Sequence, residues 1–135
     1  MAPPSFELYT GLGYLSYAFC LADDELQDDE ADAFVSAMLK AFGNLAIDKK
    51  GRKATDAFAA CREAHMSVEQ AYTQAMTVLD NLPRYELHYH FEKLLDILQD
   101  IIEADDFVHD NEQHLLDRFK RETAPWLEDA QLAAN

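Results

Sequence analysis

Glycine and proline are scarce in this chain: there are four of each in 135 residues, with the prolines at positions 3, 4, 83 and 125. Long stretches therefore hold no residue that interrupts a helix, and no segment alternates apolar and polar residues as a half-buried strand would. Cysteine is scarcer still. Cys20 and Cys61 are isolated, without C-x-x-C spacing, so neither a zinc ribbon nor a disulfide framework is expected and both read as small core residues. Basic side chains are outnumbered, 11 against 26 acidic, for a formal charge of -15. A nucleic-acid backbone or an anionic membrane surface would be repelled, which leaves cations and basic partners as ligands. The first basic residue is Lys40, so a secretory n-region is not expected, and the apolar run from Gly11 to Ala22 is too short to cross a bilayer. A cytoplasmic location is the expectation. The chain also lacks a G-x-S-x-G elbow, a P-loop, a His-Glu-x-x-His pair and a glycine-rich dinucleotide turn, so a non-enzyme is expected.

Against these absences stands 49% hydrophobic content, enough for the core of one domain spanning residues 1–135. Leu8, Leu12, Leu15, Phe19 and Ala22 lie on one stripe of a helix beginning near Ser5. Phe34, Val35, Met38, Leu39 and Phe42 predict a second helix, stopped by Gly43-Asn44. Lys49-Lys50-Gly51-Arg52-Lys53 reads as an exposed basic loop, followed by a third helix through Ala54, Ala57, Phe58 and Cys61. Ser67 and Gln70 stand at capping-box spacing for a fourth helix, which Asn81-Leu82-Pro83 ends. The fifth, from Leu87 to Ile102, is expected to be the longest, the most apolar and the central one. A sixth follows Asp110, and Pro125 in a permitted first-turn position opens a short seventh, with Trp126 as a lid. The fold class predicted is all-α, with about seven helices.

The charge is unevenly spread. Residues 1–48 hold nine acids and one base, residues 49–93 six and seven, and residues 94–135 eleven and three. Within the two acidic ends, residues 22–30 read Ala-Asp-Asp-Glu-Leu-Gln-Asp-Asp-Glu and residues 104–112 read Ala-Asp-Asp-Phe-Val-His-Asp-Asn-Glu. Both follow A-D-D-x-(L/V)-x-D-x-E, the two copies start 82 residues apart, and each joins one amphipathic segment to the next.

In this repeat the chain resembles the TerB-like family, which is named for bacterial tellurite resistance and is also similar to the N-terminal region of a membrane-anchored DnaJ-like co-chaperone. The family motif is A-D-G-x-(I/V/L)-x-x-x-E. The resemblance implies a multihelical fold of two three-helix repeats about a pseudo-twofold axis: repeat one at about 5–65, repeat two at about 67–122 and a C-terminal helix at about 124–134. It further implies a role in stress responses and acids that bind metal, which fall by position on Asp23, Glu30, Asp105 and Glu112. Asp24 and Asp106 replace the motif glycine, which alters the loop conformation to be expected there.

Two chemistries compete for these acids. Six carboxylates between Asp23 and Glu30 offer hard oxygen ligands suited to calcium, magnesium or manganese. Alternatively, Glu30 and Glu112 stand three residues after Gln27 and His109, which is capping-box spacing, so each is able to tie its own helix start without metal. The corresponding functions are a domain binding divalent cations or a basic, stress-response partner, and a purely structural helical adaptor. His88 and His90, two apart on a helix, point in different directions and do not form a joint ligand pair, whereas His109 lies inside the second motif. The oligomeric state stays open, a dimer included.

Overall fold

The computed structural model describes residues 5–22, 28–42, 49–103 and 110–134, and the described residues form six α-helices and no strand. They are α1 (Phe6–Leu21), α2 (Asp28–Phe42), α3 (Lys49–Glu63), α4 (Val68–Asp80), α5 (Arg84–Ile102) and α6 (Asp110–Ala134).

The helix at the centre is α1, not α5 as the apolar pattern predicts. Leu8, Tyr9, Leu12, Leu15, Tyr17, Ala18, Phe19 and Cys20 are all buried, so burial runs around the whole circumference. α1 contacts every other helix and packs most extensively on α3 and α4. Gly11 and Gly13 permit this, because residues two apart on a helix point roughly 200° apart. Gly11 faces Leu79 and Val78 of α4, while Gly13 faces Ala54 and Ala57 of α3. α5 keeps six charged side chains and buries its apolar residues on the face carrying Leu87, Phe91, Leu94, Ile97, Leu98, Ile101 and Ile102.

Helix ends follow local chemistry. Ser5 caps α1, its Oγ accepting from Leu8 N–H at 3.2 Å, and its own N–H donates to Glu86 Oε1 at 2.8 Å, which ties the starts of α1 and α5 together. The expected capping box opens α4, with both Ser67 and Gln70 bonds formed. Between α3 and α4, His65 takes a left-handed conformation with φ 52°, and Met66 N–H and His65 N–H donate to the carbonyls of Cys61 and Arg62. That paired arrangement is a Schellman cap with histidine where glycine is usual.

Two boundaries correct the sequence reading. Residues 49–53 are helical rather than a loop: they form the first turns of α3, where Gly51 is buried while Arg52 and Lys53 stay exposed. Lysine and arginine are good helix formers, so a basic run is no barrier. The predicted sixth and seventh helices are one, α6, continuous through Pro125. Proline removes the N–H that would reach the carbonyl of Arg121, but both residues are exposed, on a face open to solvent. Thr123 Oγ1, just before the proline, donates to Phe119 O at 2.7 Å.

The core is completed by ring contacts between helices. Phe34 stacks on Phe58 at 5.3 Å, Phe91 on Phe119 at 5.7 Å, and Tyr9 meets Phe42 edge-on at 5.4 Å. Cys20 and Cys61 are both fully buried thiols. Trp126 packs against the core partly buried, with the Arg84 guanidinium 4.9 Å from its ring centroid. Among the described residues no helix is long and apolar enough to cross a membrane.

Candidate acidic corners

The two motif copies stand at the same offset from the helices that follow them. α2 starts at Asp28 and α6 at Asp110, and 28 plus 82 is 110, the offset of the motif itself. The preceding helices end at Leu21 and Ile102. This offset pairs α1 with α5 and α2 with α6, and leaves α3 and α4 between the pairs. The motif thus lies between the first and second helices of residues 5–65 but between the second and third of residues 67–122. Packing is unequal as well: α2 lies along α5 in an extensive seam, whereas α6 only grazes α1.

Of the candidate acids, Asp23, Asp24, Asp105 and Asp106 lie outside the described residues. Glu30 is the third residue of α2 and Glu112 the third of α6. Glu112 is 1% exposed, and this marks it off from an ordinary surface acid. A carboxylate withdrawn from water needs positive compensation, and the N-terminal turn of a helix supplies part of it through its dipole and free N–H groups.

The described ends of the two corners meet. Ala22, the first residue of one motif copy and the last described before its acids, lines a groove of about 310 Å³ together with Asn111, the eighth residue of the other copy, and with His114 and Leu115 of α6 just after it. Val68 and Arg118 complete the lining. The chain therefore enters one motif and leaves the other on the same side of the protein. Among the described residues no three histidine, cysteine, aspartate or glutamate side chains are gathered as a metal site.

Beside this groove lies a polar network that sequence reasoning did not find. Arg118 of α6 donates from Nη1 and Nη2 to the two carboxylate oxygens of Glu69 on α4, at 2.7 and 2.8 Å, and from Nε to Glu122 at 2.9 Å. Glu122 also accepts from Tyr72 OH at 3.0 Å, and the guanidinium lies 4.2 Å over the Tyr72 ring. The Arg118 hydrogen bond holds the Glu69 carboxyl below its usual range, and the two glutamates push Arg118 upward. Burial first, then the bond to Glu122, raises the Tyr72 hydroxyl. The i,i+4 spacing of Arg118 and Glu122 was a legible signal; Glu69, 49 residues away, gave none.

A second depression of about 410 Å³ between α2 and α5 is lined by Ala37, Ala41, Lys40, Lys93, Asp96, Gln99 and Asp100. Its two lysines balance its two aspartates, and Lys40 pairs with Asp100 at 3.6 Å, so no strong field of either sign arises there. His88 is exposed and His90 buried, so the two side chains face different surroundings on α5. Comparison with known proteins finds no family model, no curated protein and no solved structure that matches this chain.

Proposed function

We propose that this is a non-catalytic, acidic helical binding domain whose two A-D-D-x-(L/V)-x-D-x-E corners act on one side of the molecule toward a cationic ligand. The ligand is a divalent cation, calcium, magnesium or manganese, or a basic segment of a partner protein. The TerB-like resemblance supports a bacterial stress response as the setting. It also supports a duplicated architecture with local twofold character, for which the helix pairs α1–α2 and α5–α6 are the units of matching register. One observation carries the proposal: Ala22, the first residue of one motif copy, and Asn111, the eighth residue of the other, line the same groove. The burial of Glu112 at the mouth of α6 adds to it, because an acidic side chain is kept there out of water.

Thermal unfolding with and without each cation tests the metal form. Calcium, magnesium or manganese at millimolar concentration is expected to raise Tm, and Asp23→Asn combined with Asp105→Asn to abolish the shift. No shift with any of the three sinks the metal form, and failure of a lysine-rich peptide to bind at low salt sinks the basic-partner form.

A second reading, a structural adaptor whose acids are helix caps, is favoured by apolar side chains at i,i+4 on outer faces: Val35 and Leu39 of α2, and Tyr85 and Tyr89 of α5, all at least 38% exposed. Pull-down partners retained after both corners are neutralised would decide for it.

A further inference from the structure

We infer that His90 is a pH-sensitive latch, holding the C-terminal end of α2 against α5 only while its imidazole is neutral. This does not depend on the acidic-corner reading. His90 is 3% exposed, and its Nδ1 has no hydrogen-bond partner among the described residues. Across the seam stands Phe42, the last residue of α2, whose ring meets the imidazole edge-on at 6.1 Å. Phe42 is held in turn by the Tyr9 ring of α1 and by Lys93 Nζ, 5.5 Å from its centroid. α5 is the principal partner of α2, so this contact lies on the main attachment of that helix.

Protonation there has little to offset it. An imidazolium at this position would lose water and carry an N–H with no acceptor among the described residues. The described charged groups that act on it belong to α5 itself: Glu86 favours the proton and Lys93 opposes it, one on each side along the helix. α2 brings the uncharged Phe42 to the seam and engages Lys40 with Asp100 instead; α1 brings the Tyr9 ring against Phe42, and α6 packs on α5 through Phe119 against Phe91. Burial is the largest influence and lowers the pKa from its ordinary 6.5. A depressed pKa in the closed state means that the seam has its full stability above pH 6.5. Stability is lost as pH falls toward the lower value, because the opened histidine takes up a proton that the closed one does not, by up to about tenfold in the opening equilibrium per pH unit. Ordinary carboxylates titrate lower, so the window from about pH 6.5 to 5.5 belongs to histidine.

Native-state hydrogen exchange on the full chain from pH 7.5 to 5.5, corrected for intrinsic rates, tests the latch. Protection of α2 amides is expected to fall several-fold while α1, α3 and α4 keep theirs, and His90→Gln, neutral throughout, is expected to remove the dependence. Should that variant fail to fold, an NMR titration of the His90 ring in the wild-type protein is decisive, with a midpoint below 6.5 expected. A midpoint at or above 6.5, constant α2 protection, a loss shared by all six helices, or a loss that survives His90→Gln would overturn the inference.

Discussion

Gly13 of α1 lies so close to the carbonyl oxygen of Ala54 in α3 that a methyl group on Gly13 would overlap it and stand 2.8 Å from Ala57 Cβ. The obstacle is backbone, which cannot turn aside as a side chain can. Gly13→Ala is therefore expected to destabilise the protein by about 3 kcal/mol, despite the roughly 1 kcal/mol that alanine contributes over glycine in a helix. Gly11→Ala is the control. Its methyl would meet Leu79 Cδ2 at 2.8 Å, the far end of a flexible side chain, and the helix gain offsets most of the crowding. Urea unfolding of both variants checks the pair; equal losses would remove Gly13 as the point of closest helix approach.

His65 holds a left-handed backbone, φ 52°, with its side chain exposed. A residue with a Cβ bears a cost of about 1–2 kcal/mol in this conformation, partly regained as chain entropy in the unfolded state when glycine replaces it. His65→Gly is expected to raise stability by about 0.5–1 kcal/mol, and His65→Val to lower it. Denaturation midpoints at unchanged slope provide the measurement.

The Arg118–Glu69 pair joins α4 to α6, which otherwise touch little. Glu69 is 66% exposed, so solvent screening limits the pair, and a double-mutant cycle of Arg118→Ala and Glu69→Ala is expected to give a coupling of no more than about 1 kcal/mol. Because Arg118 lowers the Glu69 pKa below its ordinary 4.5, the contribution is present above pH 4.5 and lost as the pH falls through the lower folded value. A coupling that grows on acidification would contradict this assignment.

Burial pushes the Cys61 thiol up to about 11 from an ordinary 9.0. The thiolate is the reactive form, so a disulfide-exchange reagent at pH 8 is expected to modify Cys61 only at the rate of unfolding. The sign for stability is the reverse of that for His90: between pH 9 and 11 the unfolded chain releases a proton that the folded chain keeps, and stability falls as pH rises. Thiol labelling in native buffer and in denaturant distinguishes the two rates.

Much of the helical layout was legible because the signals act over three or four residues. Ser5, Ser67 with Gln70, and Asn81-Leu82-Pro83 mark helix ends by bonds formed within the same turn. The separation of His88 from His90 followed from helix geometry alone. Local signals misled at two helix-breaking residues: Gly51 in a basic run was read as loop although lysine and arginine carry a helix through it, and the exposed Pro125 was read as a boundary although α6 runs on past it. The acids of the two corners were legible as a repeat, but nothing in their order marked Glu112 as buried.

The order of residues by itself determined that this protein is helical, where most of its helices begin and end, and that its negative charge gathers at two matching corners. All three depend on propensity, capping and charge, which operate between near neighbours. Tertiary structure alone decided that α1 rather than α5 is central, that Gly13 admits α3, that Arg118 finds Glu69 across 49 residues, and that His90 lies sealed against Phe42. Burial is a property of a residue and its partners together, and those partners come from helices that meet only when the chain has folded.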